Sequence, residues 1–151
     1  MADLKLEIKQ VFDAPIEKVW DAWTNPESLK QWKHPEGMTT PSAQVNLEQG
    51  GEWSVVMEGD MINGNEHTHS LTLNGKYLEI DKPHKLVYTW LWEGQDPQTH
   101  NTTVTILLSK LEENKTEVIL IHSGFPDQNM VDEHTFGWNS TLKNLQKFLQ
   151  Q

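Results

Sequence analysis

The stretch Asp127–Gln151, DQNMVDEHTFGWNSTLKNLQKFLQQ, decides how the rest of the chain must be read. Val131, Trp138, Leu142, Leu145 and Leu149 recur at intervals of three, four and seven, which puts them on one stripe of a helix. His134 shares that stripe, whereas Lys143, Asn144, Gln146 and Lys147 fall off it. Asp127 follows Phe125-Pro126 and is placed to cap the first turn. A helix of about 24 residues would be about 36 Å long at 1.5 Å per residue. It cannot bury its stripe alone, so the preceding residues must supply a broad apolar surface. Gly137 interrupts it at a cost of about 1 kcal/mol against alanine. That glycine is either simply tolerated or marks a close approach of the helix to a strand or a bound molecule.

The surface is legible upstream. Leu4–Phe12 alternates as a strand with one buried face. Asp13-Ala14-Pro15 then opens a helix with Pro15 in its first turn, carrying Ile16, Val19, Trp20 and Trp23 on one side. Thr24 and Glu27 have the spacing of a capping box for a second short helix bearing Leu29 and Trp32. His34–Gly37 and Pro41 read as loop, Gln44–Leu47 as a short strand and Gly50-Gly51 as a turn. Trp53, Val55 and Met57 alternate in a strand over Glu52–Glu58. Gly59–Asn65 reads as a hairpin loop. A long strand over His67–Ile80 is expected to bulge near Gly75. Leu86, Tyr88, Trp90 and Trp92 alternate in the next strand, and Glu93–His100 reads as a polar loop. Two further strands carry Val104, Ile106 and Leu108, then Val118, Leu120 and His122, around a tight turn at Glu112–Lys115. A run of strands with helices grouped outside it implies an α+β fold: a curved antiparallel sheet of about six to seven strands, two short helices after the first, and one long C-terminal helix. Residues 1–151 read as a single domain.

Composition excludes several function classes. The net charge is −10 over 151 residues, and no arginine is present. A nucleic-acid partner, which needs clustered cations, is therefore not expected. There are no cysteines, so disulfide and thiolate chemistry is absent. No apolar run approaches the roughly 18 residues that cross a bilayer. The N-terminus has no signal-peptide core, so a cytoplasmic protein without a membrane partner is expected. No phosphate loop, dinucleotide fingerprint or nucleophile elbow occurs, and no cofactor is expected. Seven tryptophans stand out, since an indole serves cores, pockets and interfaces alike.

Several motifs in order resemble one known family. They are Phe12-Asp-Ala-Pro-Ile-Glu-Lys-Val-Trp-Asp-Ala-Trp-Thr-Asn-Pro-Glu with Trp32, Gly50-Gly-Glu-Trp, Gly75-Lys-Tyr-Leu-Glu-Ile, Lys85-Leu-Val-Tyr-Thr-Trp, Thr116-Glu-Val-Ile-Leu-Ile-His and Gly137-Trp138. Together they are similar to START-like (SRPBCC) proteins, in the branch resembling the C-terminal domain of the activator of heat-shock-protein-90 ATPase. The resemblance implies a helix-grip fold with a cavity between sheet and last helix. It implies no single activity: relatives include lipid carriers, polyketide cyclases and co-chaperone domains. The sequence departs from the pattern at Lys33, where relatives often carry a second aromatic after the position of Trp32.

The candidate site is the inner face of this cavity. Trp53, Met57, Tyr77, Tyr88, Trp90, Trp92, Met130 and Trp138 would line it, with His122 and His134 as polar anchors. The same rings would also suit a solid core. The expected partner is a small hydrophobic molecule, bound by a monomer or homodimer. One alternative is a cyclase- or hydrolase-type enzyme using His122 and His134 for proton transfer. Another is a chaperone-accessory or stress-response module, which needs an exposed apolar patch. Glu66, His67 and His69 suggest a cation site at first glance, but no third ligand follows by spacing, and no metal is expected. Asp60, Glu93 and Asp96 read as solvated loop carboxylates.

Overall fold

A computed structural model describes residues 4–35, 37–59 and 69–150, with His69 in its backbone alone. Its elements run β1 (Leu4–Phe12), α1 (Ile16–Thr24), α2 (Pro26–Trp32), β2 (Met38–Val45), β3 (Glu52–Gly59), β4 (His69–Asp81), β5 (Lys85–Trp92), α3 (Pro97–His100), β6 (Thr102–Glu112), β7 (Lys115–Phe125) and α4 (Gln128–Leu149). The strands form one seven-stranded antiparallel sheet, curved, in the order β1-β7-β6-β5-β4-β3-β2. The fold is α+β, with two short helices after the first strand and a long last helix, as the pattern of apolar residues implies. None of the described helices is long and apolar enough to cross a membrane.

Strand alternation decides which face is covered. Trp53, Val55 and Met57 of β3, Leu86, Tyr88 and Trp90 of β5, Val104, Ile106 and Leu108 of β6, and Val118, Leu120 and His122 of β7 all point inward and are buried. Helix α4 has 22 residues and buries Val131, Trp138, Thr141, Leu142, Leu145 and Leu149. The Asp127 carboxylate accepts from Met130 N at 2.9 Å and satisfies an N–H left over by the first turn. Against this layer, α4 packs on β1, β7, α1 and α2. Across β3–β5 it is the long side chains of α4, not its backbone, that reach the sheet, and that separation leaves room between the layers.

Several local expectations are corrected. Pro15 is the N-cap of α1, with φ −63° and ψ 150°, and its carbonyl takes the Lys18 and Val19 N–H groups. The cap of α2 is Asn25, whose side chain accepts from Glu27 N at 3.0 Å. Thr24 instead turns its hydroxyl back to Trp20 O at 2.9 Å, the interior bonding that competes with capping. Strand β2 already begins at Met38 and contains Pro41. It is an edge strand, and its register against β3 shifts between Thr39 and Ser42, so the missing N–H of proline falls at a bulge. The bulge of β4 lies between Tyr77 and Glu79 on the β5 side, not at Gly75. Gly75 is required for another reason: a Cβ there would overlap the Thr89 carbonyl and stand 2.8 Å from the Trp53 indole nitrogen. The Glu93–His100 loop contains the one-turn helix α3, capped by Asp96 through Gln98 N at 2.9 Å. The expected hairpin over Gly59–Asn65, the strand start at His67, and Asp60 and Glu66 lie largely or wholly outside the described residues.

Candidate functional site

Between the sheet and α4 lies a cavity of about 280 Å³. Met57, Trp90 and Trp92 form its sheet wall, and His134, Gly137 and Trp138 its helix wall. Glu133 is exposed and Leu71, Trp92, His34 and Pro35 are half-buried, so these residues mark the mouth. Lys33 and Met38 are buried and form the floor. A wider, more polar depression of about 550 Å³, which includes Gln44, Glu52, Asn74 and Lys76, opens on the opposite face of β3–β5. Its lining is mixed, with Glu52, Asn74, Lys76 and Asn101 beside Trp53, Leu78 and Leu91, and it lacks the mostly apolar wall of the first cavity.

The indoles are held by imidazoles. Trp138 Nε1–H donates to His122 Nδ1 at 3.0 Å. An indole nitrogen only donates, so His122 carries its proton on Nε2 and gives it to Thr102 Oγ1 at 2.7 Å. The Thr102 hydroxyl passes the chain on to Trp90 O at 3.1 Å. His134 is bound in the mirror sense. Its Nδ1–H donates to Met130 O at 2.9 Å, and its Nε2 accepts from Trp92 Nε1 at 3.3 Å. The two imidazole rings are 5.3 Å apart. Burial holds the His122 pKa well below its ordinary 6.5, helped by the titratable neighbours His134 and Lys33, which disfavour a second positive charge beside them. Burial also lowers that of His134, opposed by the Met130 carbonyl and Glu133. Both are neutral rings with every nitrogen engaged.

Not all the expected lining residues meet at this cavity. Met57, Trp90, Trp92, His134 and Trp138 do. Trp53, Tyr77 and Tyr88 lie deeper, under Trp23 and Leu29 of α1 and α2, around a void of about 20 Å³. Burial raises the pKa of both tyrosines, so their hydroxyls stay neutral. His122 is wholly buried and sits behind Trp138. Met130 is half-buried and enters through its carbonyl, as the acceptor for His134. Gly137 faces open space: nothing lies within 4 Å of a Cβ built there, which excludes close approach of a strand. Among the described residues, no group of His, Asp or Glu side chains is arranged to hold a metal ion. Glu66, His67 and the His69 side chain lie outside the described residues.

The residue that sequence reasoning missed is Lys33. It is 5% exposed, and its Nζ sits 4.1 Å from the Trp90 ring centre and 4.3 Å from that of Trp138. Its departure from the aromatic usual at this position was the available signal, but a lysine at a helix end reads as solvated. His34, Pro35 and Met38 were also passed over, as members of a loop.

Residues 13–150 match the family model described as Activator of Hsp90 ATPase homolog 1-like protein. Among solved structures, a protein from Chromobacterium violaceum superposes with a TM-score of 0.82 at 22% identity, covering 98% of this chain and 99% of that one. A protein from Nitrosomonas europaea gives 0.80 at 26% identity, covering 98% and 95%. An HSP90 activator from Plasmodium falciparum gives 0.74 at 25% identity, covering 97% and 96%. No curated protein matches the chain.

Proposed function

Because this chain belongs to the Activator of Hsp90 ATPase homolog 1-like family, in which fold alone does not fix activity, we propose from its site that it binds a small apolar molecule between the sheet and α4. The observation that carries this reading is the 280 Å³ cavity walled by Trp90, Trp92 and Trp138. Two of those indoles have their N–H groups turned to histidines, so what they offer a ligand is apolar ring surface. Transfer of apolar area from water to such a surface gains about 25 cal/mol per Å² before ordering costs. Three of the chain's tryptophans form the wall, so intrinsic fluorescence reports occupancy directly. Titration with apolar probes of increasing size should shift the emission and saturate. Native mass spectrometry should show one added mass per chain. A protein whose emission is unmoved by every probe refutes the reading.

The enzymatic alternative loses support at the histidines. A general base needs a free lone pair facing the substrate. His122 is buried away from the cavity, and His134 already accepts from Trp92. A chaperone-accessory role draws on the family and on the name of the Plasmodium relative. Among the described residues, the large exposed apolar side chains Val11, Leu47, Leu78, Leu111 and Phe136 stand on separate segments of the chain. Stimulation of a heat-shock ATPase by the purified protein would establish that role, and its absence would remove it.

A further inference from the structure

We propose that Lys33 is an anion anchor, and that the ligand the cavity selects is an apolar acid whose carboxylate pairs with the Lys33 ammonium between Trp90 and Trp138. This rests on the reading of the cavity as a binding site and specifies its ligand.

The position of the amine is built, not incidental. Lys33 N donates to Leu29 O at 2.9 Å, and its carbonyl accepts from Thr40 Oγ1 at 2.8 Å. His34 Nδ1–H donates to the same hydroxyl at 2.9 Å, and Asn144 Nδ2 holds His34 O at 2.7 Å. Helix α2, strand β2 and helix α4 thus fix one turn of backbone. A lysine near a surface ordinarily runs its stem outward and leaves its amine in water. This one points inward, onto two indole faces that attract a cation.

Among the described residues its charge has no ion-pair partner. The ion pairs of the described residues are Lys9–Glu117, Lys30–Glu27, Lys85–Glu79 and Lys115–Asp13, and none includes Lys33. The groups facing it are His34 beside it, His122 on β7, His134 and Glu133 on α4, and Tyr77 and Tyr88 on β4 and β5. Burial lowers the pKa of His34, His122 and His134 and raises those of the two tyrosines, so it disfavours a charge on each of these groups. Glu133 stands exposed at the mouth. A buried ammonium without a partner is costly, and a ligand carboxylate removes that cost. The Trp90 Nε1–H, buried and without an acceptor among the described residues, belongs to the same wall. At about 30 Å³ per water-sized group, the volume suits an acid of about ten non-hydrogen atoms.

The pairing is linked to protons. Burial pushes the Lys33 pKa down from its ordinary 10.5 to about 7. Above the resulting pKa, an acid must bind together with a proton, so affinity drops up to about tenfold per pH unit.

The test compares octanoate with 1-octanol, read by tryptophan fluorescence and calorimetry, on the full chain and on Lys33→Met. The wild type should prefer octanoate about 10- to 100-fold at pH 6.5, the scale of a charge-assisted pair. That preference should collapse by about pH 9, a readout that requires no variant. Lys33→Met should lose the preference at both pH values while keeping octanol. Equal binding of the two probes to the wild type at pH 6.5 overturns the anchor but leaves the apolar cavity standing. Failure of both probes on the wild type overturns the cavity reading and the anchor with it.

Discussion

Replacing Lys33 by methionine should make the empty protein more stable, and by an amount that depends on pH. Methionine keeps the unbranched stem and deletes the amine. At pH 6.5 the wild type carries an ammonium in an apolar site. The fall of its pKa from 10.5 to about 7 corresponds to about 5 kcal/mol of lost stability at about 1.4 kcal/mol per tenfold. We therefore expect Lys33→Met to be the more stable by up to about 5 kcal/mol at pH 6.5. Between pH 7 and 10.5 the unfolded chain still holds a proton that the folded chain has released. Wild-type stability therefore rises through that range relative to the variant, by up to about 1.4 kcal/mol per pH unit, and is lowest below pH 7. The advantage of the variant should shrink by about 2–3 kcal/mol between pH 7 and pH 9. Urea unfolding followed by tryptophan emission at pH 6.5, 8 and 9 measures both quantities. A stability difference that is flat with pH, or a variant less stable throughout, would show that Lys33 is not a buried, destabilising cation.

Gly137→Ala should act in two directions at once. A methyl group there meets open space, so the helix gains about 1 kcal/mol, while apolar probes bind more weakly because the methyl enters the cavity; thermal unfolding and probe titration read the two effects separately. Thr102→Ala removes the acceptor of the buried His122 Nε2–H and should cost about 1–3 kcal/mol in urea unfolding, with a red shift of tryptophan emission if Trp138 loosens. His122 and His134 have folded pKa values below 6.5, so the stability they give is complete above pH 6.5 and is lost as the pH falls below it; unfolding free energies at pH 7 and 5.5 should differ by up to about 2–3 kcal/mol, and equality would contradict the neutral-ring assignment. Asp127→Ala removes the cap of α4 and should lower stability by about 1 kcal/mol, measured at a pH where the histidines are silent.

Most of the architecture was legible because periodicity reports facing. The stripe Val131, Trp138, Leu142, Leu145 and Leu149 is buried along α4, and the alternations of β3, β5, β6 and β7 place the inner residues correctly. What periodicity cannot report is what covers a face. Trp53 and Trp90 both point inward, yet Trp53 lies under Trp23 and Leu29 while Trp90 borders the open cavity. That difference is set by where α1 and α2 end, which only the assembled fold decides. Lys33 was illegible for the same reason. Nothing in its neighbours says that Thr40 and Asn144 will pin its turn of backbone and send the amine inward. Thr24 and Asn25 show the local limit: both can cap, and the choice went to the residue whose extended backbone already breaks the helix.

The two histidines suggest why this cavity stays open. A closed, dry void of 280 Å³ would forfeit about 7 kcal/mol at about 24 cal/mol per Å³, comparable with the whole stability of a small domain. Two features resist collapse. The half-buried mouth at Leu71 and Trp92 lets water share the space, which lowers the cost of leaving it unfilled by protein. The walls are also braced: Trp138 is tied to His122 and through Thr102 to the β5 backbone, and Trp92 is tied to His134 and through it to Met130 O. Each indole is thereby anchored from the opposite layer, so the bridges hold sheet and helix at a set spacing as well as orienting the rings. On this account the imidazoles are struts whose hydrogen bonds keep flat apolar faces apart, and Lys33, which has no ion-pair partner among the described residues, supplies the polarity that those faces lack.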